Sequence, residues 1–319
     1  MRFQVIEEKF GNQLLIKLMD SESKEYVSIL PETGGMLNSM ELVYNNKLVP
    51  VLDDYKTEEE LLETLESSFK GSNLFPFPNR IKDGKYDFNG KIYQLKMNFP
   101  QENNAIHGLV FTKKFKVTDK SESDTEATLS IAYSPKENAQ GYPFSYTQEV
   151  KFSLSQEKGL IVTTSFKNTD SIKIPTGLGW HPYFMLTSKV DDIYIQFPSK
   201  NSYEVDSQMI PTGKSESYTK YNKLKQIEDD KFDTCFDVDQ LNEIASIILK
   251  DPSIDGGLEI WQETGNKKFN FLQVYTPPHR NNIAIEPMTC MPDAFNNKQG
   301  LIILEPNEKL EVSWGVKKI

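Results

Sequence analysis

The segment Leu160-Ile161-Val162-Thr163-Thr164-Ser165-Phe166 is rich in β-branched and aromatic residues and is typical of a β-strand. Similar segments, in which apolar side chains recur at short intervals, occur along the whole chain. They cover residues 3–5, 14–18, 26–30, 127–133, 193–197, 271–275 and 310–316. So many short strands between turn residues predict an all-β protein, either a sandwich or a barrel.

The clearest hairpin pattern lies at residues 85–95. Asn89-Gly90 separates two alternating runs, residues 85–88 and 91–95. A type I′ turn requires positive φ at both central residues, and the Asn-Gly pair meets that requirement. We therefore predict two antiparallel strands joined by a two-residue turn.

One segment has a helical pattern. Thr57 and Glu60 have the spacing of a capping box, in which side chains bind free backbone N–H groups at a helix start. Four apolar residues predicted to share one helix face follow: Leu61, Leu62, Leu65 and Phe69. A second short helical turn is predicted within residues 225–243. The sequence thus predicts one or two short helices beside a large set of antiparallel strands.

The organisation of the chain favours one domain. Its 319 residues contain no internal repeat, no low-complexity tract and no Pro/Gly/Ser linker long enough to divide it. We therefore predict a single domain over residues 1–319, since all-β domains of this size are common.

The charge balance limits the classes of partner. The net charge is −10, and only three of the 36 basic residues are arginines, Arg2, Arg80 and Arg280. A nucleic-acid-binding protein is expected to have a basic surface, so that class is excluded. An acidic surface also repels anionic membranes and fits a small neutral substrate. Composition leaves both a monomer and a homodimer open.

The N-terminal segment has no uninterrupted apolar core, and no apolar run approaches the ~20 residues of a spanning helix. Two cysteines, Cys235 and Cys290, are too few for a disulfide framework or a zinc cluster. We expect free, partly buried thiols and a cytoplasmic protein.

The segment with the most unusual chemistry contains two glycines, two prolines, three aromatic residues and a histidine. It reads Pro175-Thr176-Gly177-Leu178-Gly179-Trp180-His181-Pro182-Tyr183-Phe184. His181 between Trp180 and Tyr183 suits a polar, ring-shaped ligand, with the rings as a floor and the imidazole as a proton carrier. A structural loop with a hydrogen-bonded histidine is the alternative for this segment alone.

Glu286 is the strongest candidate for a catalytic base. It ends an apolar strand and is followed by Pro287. A carboxylate at such a position is costly to desolvate unless it is paired or functional. Partial burial would raise its pKa and make it a better base near neutral pH.

Three further positions are weaker candidates. Arg80 follows a stiff Pro- and Phe-rich segment, and its guanidinium fork suits vicinal hydroxyls or a carboxylate. His107 precedes Gly108, which allows a sharp turn, and Asp233 lies between apolar neighbours. Taken singly, each also fits a structural role, as a surface arginine, a hydrogen-bonded histidine or a turn cap.

Seven motifs together resemble those of one family. In chain order they are Asn79-Arg80-Ile81, Phe88-Asn89-Gly90, Asn104-Ala105-Ile106-His107-Gly108, Gly141-Tyr142-Pro143-Phe144, Gly179-Trp180-His181-Pro182-Tyr183-Phe184, Asp233-Thr234-Cys235-Phe236 and Ile285-Glu286-Pro287-Met288-Thr289. The chain resembles the aldose 1-epimerases, also called galactose mutarotases, from about residue 30 to its end. This resemblance implies a β-supersandwich with an open cleft and a cofactor-independent interconversion of the α and β anomers of a free sugar.

The resemblance also implies roles for individual residues. Glu286 would take the proton of the C1 hydroxyl while His181 protonates the ring oxygen. Four residues would bind the sugar: Arg80, His107, Asp233 and Asn79. Three other aspartates lie close to Asp233 and stay open as alternatives for its role: Asp229, Asp230 and Asp237. We expect the base and the acid to face each other across a gap of pyranose width, with the imidazole held protonated by nearby carboxylates.

Three other functions stay open on the sequence. A hexose-6-phosphate 1-epimerase of the same superfamily would need a phosphate site, for which Arg280 and lysines such as Lys82, Lys85 or Lys96 are available. A metal-dependent sugar isomerase could use His107, His181 and Glu286, although no His-x-His pair occurs. A non-catalytic carbohydrate-binding module would keep the aromatic residues as stacking faces and need no acid–base pair.

Overall fold

The computed structural model describes residues 1–137, 139–240 and 242–319. Within these ranges the helices are α1 (Glu58–Ser68), α2 (Ala294–Asn297) and a 3-10 turn at Val190–Asp192. The strands are β1 Phe3–Phe10, β2 Gln13–Asp20, β3 Tyr26–Leu30, β4 Met36–Tyr44, β5 Lys47–Pro50, β6 Ser72–Leu74, β7 Arg80–Lys82, β8 Lys85–Phe88, β9 Lys91–Gln94, β10 Asn104–Ile106, β11 Lys116–Glu122, β12 Glu126–Tyr133, β13 Tyr146–Ser155, β14 Gly159–Asn168, β15 Ile174–Thr176, β16 Gly179–His181, β17 Tyr183–Phe184, β18 Tyr194–Gln196, β19 Ser199–Val205, β20 Pro211–Ser217, β21 Lys225–Gln226, β22 Asp233–Val238, β23 Ile244–Asp251, β24 Gly256–Glu263, β25 Phe271–Tyr275, β26 Ile283–Met288, β27 Ile302–Leu304 and β28 Lys309–Lys318.

Three large sheets form most of the fold. A nine-stranded sheet has the order β11-β12-β13-β14-β28-β24-β23-β18-β21, and an eight-stranded sheet has the order β20-β19-β22-β25-β26-β16-β6, with β17 also paired to β26. A five-stranded sheet runs from β1 to β5 in chain order, and three two-stranded ribbons pair β7 with β10, β8 with β9 and β15 with β27. The predicted all-β supersandwich of antiparallel strands is confirmed.

The nine- and eight-stranded sheets face each other across the core. Trp180 on β16 reaches between them and contacts Trp314 on β28 and Phe152 on β13, with ring centroids 5.9 Å and 6.1 Å apart. Its indole Nε1 donates to Thr164 Oγ1 on β14 at 3.3 Å. Because side chains alternate along a strand, His181 points away from this core and towards the other face of the eight-stranded sheet.

The strand and hairpin predictions agree with the structure. Residues 160–166 lie in β14, and residues 26–30 and 271–275 coincide with β3 and β25. In the β8–β9 hairpin, Asn89 and Gly90 have φ of 54° and 74°, as a type I′ turn requires. Cys235 and Cys290 are free and buried.

Helix α1 agrees with its predicted start. Thr57 is the N-cap, and its hydroxyl accepts from the Glu60 N–H at 3.1 Å. The Glu60 carboxylate accepts from the Lys56 N–H, one residue before the position that a capping box uses. Leu61 and Leu65 are buried, but Leu62 is 72% exposed, so its predicted place on the buried face is wrong.

The second helical turn predicted within residues 225–243 is wrong. The described residues of this range form β21 and β22 instead. Strand β22 pairs with β19 on one side and β25 on the other, so its backbone N–H groups find partners in the sheet. Pairing of this kind outweighs a weak local helix preference. Leu241 lies outside the described residues. Helix α2 has only four residues, too few for any helical period to be visible in the sequence.

No helix within the described ranges is both long and apolar enough to cross a membrane.

Candidate active site

A cavity of about 180 Å³ lies on the face of the eight-stranded sheet that points away from the core. Strands β16, β17, β22, β25 and β26 form its floor, and the C-terminal end of α1 and the segments around β7 and β10 form its walls. Its lining includes all six residues singled out in the motifs: Asn79, Arg80, His107, His181, Asp233 and Glu286. Residues from five separate motif segments are thus brought to one place.

His181 and Glu286 lie side by side at the bottom of this cavity. Imidazole Nε2 is 3.4 Å from Glu286 Oε1, and the two side chains are 6% and 2% exposed. The expected gap of pyranose width between them is therefore wrong. Their strands, β16 and β26, are hydrogen-bonded neighbours in one sheet, so side chains on the same face come into contact.

Burial dominates the ionisation of this pair. It raises the pKa of Glu286 well above its usual value, and Asp233 raises it further while Arg80 opposes the shift. Burial also lowers the pKa of His181 to about 3. Both shifts favour the uncharged forms, a protonated Glu286 and a neutral imidazole. Burial thus opposes the expected protonation of the imidazole, because it also disfavours the charged form of the carboxyl group closest to it.

The pair retains unused hydrogen-bonding atoms. Glu286 Oε2 and His181 Nδ1 are buried and have no hydrogen-bond partner within the described parts of the chain. The ring of Tyr183 stacks on the imidazole, with ring centroids 4.9 Å apart. A buried carboxyl oxygen without a donor is costly, so Oε2 is the atom that a ligand hydroxyl would stabilise most.

Arg80 is fixed by two neighbours. Its Nε and Nη2 donate to the two carboxylate oxygens of Glu102 at 2.5 Å and 3.2 Å. Its Nη1 and its backbone N–H donate to Asn79 Oδ1 at 3.2 Å and 2.9 Å. The ring of Phe99 lies 6.0 Å from the guanidinium carbon. The arginine is thus well fixed, as predicted, and its carboxylate partner is a residue that the motifs did not indicate.

His107 is a neutral donor. Its Nδ1 accepts from the Asn79 N–H at 3.3 Å, so the ring proton lies on Nε2. Burial, together with His181 and Arg80, lowers its pKa well below the usual value. Gly108 has φ of 74°, and a Cβ there would lie 2.3 Å from the Phe75 carbonyl oxygen. Only glycine fits this position, which fixes the turn directly after the imidazole.

Asp233 lines the cavity, whereas its neighbours face elsewhere. Its Oδ1 accepts from Gln273 Nε2 at 2.9 Å, and burial raises its pKa. Asp237 instead accepts from Asn201, and Asp230 binds Lys220 and Tyr221. Neither of these two is among the residues that line the cavity, and neither is Asp229.

Trp180 does not form a floor for a ligand. It is fully buried between the sheets and is absent from the cavity lining. The prediction of Trp180 as a stacking face is therefore wrong, because adjacent residues on a strand point to opposite faces. Tyr183 does line the cavity, and it contacts His181 rather than offering an open ring face.

The additional basic residues considered for a phosphate site lie away from the cavity. Arg280 binds the Asp191 carboxylate and the backbone carbonyls of Asp230 and Glu228. Lys82 pairs with Asp206 at 3.1 Å. Among the described residues that line the cavity, Arg80 is the only one with a lysine or arginine side chain, and it is paired with Glu102. No described group of three His, Cys, Asp or Glu side chains has the arrangement of a metal site.

Several lining residues were missed by the sequence analysis. Gln273 and Tyr275 lie on β25 at alternate positions, and Gln273 is the direct neighbour of Glu286 in the ladder. A polar residue in an otherwise apolar strand could have identified Gln273. Glu102 lies in a loop, where no periodicity marks it. The C-terminal end of α1, including Phe69, is brought to the cavity only by tertiary packing.

A family model described as aldose 1-epimerase matches residues 18–316. The chain belongs to the aldose 1-epimerase family. This confirms the resemblance drawn from the seven motifs, and the family match begins before residue 30. One protein with a similar sequence is the uncharacterised protein YihR of Escherichia coli (strain K12). It is 31% identical over 250 residues, which cover 76% of this chain and 77% of YihR.

Solved structures share the fold. A galactose mutarotase-like protein from Clostridium acetobutylicum has a TM-score of 0.86 at 22% identity, covering 100% of this chain and 99% of that one. A galactose 1-epimerase from Lactobacillus acidophilus NCFM has a TM-score of 0.80 at 17% identity, again covering 100% and 99%. At these identities the similarity is one of architecture.

Proposed function

We propose that this protein is an aldose 1-epimerase that interconverts the α and β anomers of a free hexose such as glucose or galactose. Glu286 acts as the base and His181 as the acid. The observation that carries the proposal is their contact of 3.4 Å at the bottom of a cavity lined by donors and acceptors. Membership of the aldose 1-epimerase family supports the reaction class.

A contact between acid and base suits this reaction better than a wide gap. Ring opening removes a proton from the C1 hydroxyl and delivers one to the ring oxygen. Both oxygens are bonded to C1, so the two catalytic groups must reach two oxygens that only one carbon separates. The open aldehyde then rotates about C1–C2, and closure from its other face gives the other anomer.

The sugar itself can generate the reactive form of the pair. A hydroxyl that donates to Glu286 Oε2 stabilises the carboxylate and lowers the pKa of Glu286. The shared proton can then move from Oε1 to His181 Nε2, which leaves a carboxylate base and an imidazolium acid. The total number of protons on the pair does not change. No cofactor is needed, since each step is a proton transfer or a bond rotation.

The surrounding residues supply complementary hydrogen bonds for sugar hydroxyls. His107 offers its Nε2–H, Asp233 offers carboxylate oxygens, and Arg80 has two guanidinium N–H groups that Glu102 and Asn79 do not use. Asn79 Oδ1 is committed to Arg80, so Asn79 can offer the sugar only its amide N–H groups. A small neutral polyol is the partner that this set fits.

The test is the anomerisation of freshly dissolved α-glucose, α-galactose, other aldoses and glucose 6-phosphate, followed by polarimetry or NMR. We expect faster mutarotation of a neutral hexose, and a kcat lowered roughly 10²- to 10⁴-fold in Glu286→Gln and in His181→Ala. Glu263→Gln, remote from the cavity, is the control. A loss below about tenfold in both variants, or activity on glucose 6-phosphate alone, would contradict the proposal. A binding module would leave the rate unchanged.

A further inference from the structure

The guanidinium of Arg80 has five N–H groups, and three of them have partners in the protein. Nε and one Nη2 proton bind the Glu102 carboxylate, and one Nη1 proton binds Asn79 Oδ1. The geometry with Glu102 is bidentate, the arrangement in which an arginine otherwise binds a carboxylate or phosphate ligand. The two N–H groups that remain belong to different nitrogens.

Glu102 is itself held in place from two directions. It belongs to a tight turn in which its N–H donates to the Phe99 carbonyl at 3.3 Å. Its own carbonyl accepts from Gln208 Nε2 at 3.2 Å, and the Gln208 carbonyl accepts from Asn104 Nδ2 at 2.8 Å. The connection between β19 and β20, which carries Gln208, therefore supports the loop that carries Glu102. The Glu102 carboxylate that binds Arg80 thus belongs to a loop whose backbone is held by hydrogen bonds.

We propose that Glu102 is a positioning and specificity-determining residue. It occupies the Nε/Nη2 edge of Arg80 and neutralises the guanidinium charge, and so makes this arginine a ligand for sugar hydroxyls rather than for an anionic group. This inference rests on the proposed function, since it names the substrate class of the same cavity: aldoses whose bound edge carries no negative charge.

The reason is electrostatic. With Glu102 bound, the two charges cancel, and an incoming anion meets the Glu102 and Asp233 carboxyl groups beside the only arginine that lines the described cavity. An anion could reach the free Nη1 and Nη2 protons, but it would meet a guanidinium whose charge Glu102 already neutralises. Hydroxyl oxygens are neutral acceptors, and the two remaining N–H groups can each bind one without displacing anything. Removal of the Glu102 charge would leave the positive charge of the Arg80 guanidinium without its partner, and an anion could then pair with it.

The experiment uses inorganic phosphate as the probe, because an ion of that size does not depend on the orientation of a sugar. Phosphate is titrated as a competitor of anomerisation in the wild-type protein, Glu102→Gln, Glu102→Asp and Glu263→Gln. The last variant is a matched control, since Glu263 pairs with Lys268 away from the cavity. Folding of each variant is checked by circular dichroism.

We expect phosphate to inhibit Glu102→Gln at concentrations at least about tenfold lower than the wild type. The KM for the sugar should rise roughly tenfold with kcat within about threefold, since the loss is in positioning. Glu102→Asp keeps the charge on a shorter side chain, so its phosphate sensitivity should stay near wild type although its KM rises. Equal phosphate affinity in Glu102→Gln and the wild type would overturn the proposal, as would phosphate inhibition of Glu102→Asp at the level of Glu102→Gln.

Two measurements keep this test separate from that of the proposed function. Phosphate binding to each protein is measured directly by calorimetry, which requires no turnover. If no aldose is anomerised but phosphate binds Glu102→Gln selectively, the proposed function fails and the role of Glu102 stands. The wild type provides a test that needs no variant: phosphate binding tighter than that of the neutral sugar would overturn the inference.

Discussion

Glu286 is the residue whose environment differs most from that of an ordinary carboxyl group. It is 2% exposed, its Oε2 has no donor in the described structure, and burial raises its pKa well above the usual value. In the unfolded chain the same group ionises near its usual pKa of about 4.3. The folded protein therefore binds a proton that the unfolded chain releases as the pH rises above that value.

This difference makes the stability dependent on pH, with a definite sign. Below the unfolded pKa both states are protonated, and Glu286 adds no pH-dependent term. As the pH rises towards the folded pKa, only the unfolded state loses the proton, so the free energy of unfolding of the wild type falls. Glutamine cannot ionise. We therefore expect Glu286→Gln to be more stable than the wild type at pH 7, by roughly 2 °C or more in Tm.

Calorimetry of both proteins at pH 4.5 and pH 7 measures the effect. The Tm difference should be larger at pH 7, and a constant or reversed difference would show that burial does not disfavour the ionised form of Glu286. Glu263→Gln is the comparison, because Glu263 is paired with Lys268 and accepts from the Ser313 N–H. Its replacement should not stabilise the protein at pH 7. Gain of stability with loss of activity is expected where a buried ionisable group is kept for function.

At the scale of elements, α1 is the helix that contributes to the cavity wall. Its N-terminus depends on Thr57, whose hydroxyl accepts from the Glu60 N–H at 3.1 Å. We expect Thr57→Ala to lower the free energy of unfolding by about 1 kcal/mol, because one N–H at the helix start loses its acceptor. Denaturant unfolding measures this loss. Thr57→Ser keeps the hydroxyl and should lose much less, and equal losses in both variants would exclude the cap as the cause.

The same helix shows how far local sequence patterns reach. The capping residues and the buried Leu61 and Leu65 were predictable because helix starts and the 3.6-residue period are local. The exposure of Leu62 was not, because it depends on which side of the helix meets the rest of the protein. The strands of residues 225–243 were missed for the same reason, since partners distant in sequence supply their backbone hydrogen bonds.

The candidate site, too, could be predicted from the sequence only in part. Residues in motifs with unusual local chemistry, such as Glu286 and His181, could be identified from the sequence, whereas their contact could not. That contact follows from the pairing of β16 with β26, segments about a hundred positions apart in the chain. Glu102 was missed because a charged loop residue is usually solvated, and only the fold brings it to Arg80.

At the scale of the whole molecule, β16 links the core to the cavity. Trp180 fills the space between the two large sheets, and the next residue, His181, lies in the cavity on the opposite face. A loss of packing at one position therefore need not alter the chemistry at the other. This separation distinguishes a core tryptophan from one that stacks on a sugar.

We expect Trp180→Phe to lower the free energy of unfolding by roughly 1–3 kcal/mol, because it leaves a gap beside Trp314 and removes the bond to Thr164. The KM for the sugar should stay within about threefold of wild type. Tyr183→Leu is the matched variant on the cavity side. It removes the ring that stacks on His181, so kcat/KM should fall at least about tenfold. Denaturant unfolding and anomerisation kinetics measure the two effects separately. A tenfold rise in KM for Trp180→Phe with little loss of stability would mean that the indole contacts the sugar after all.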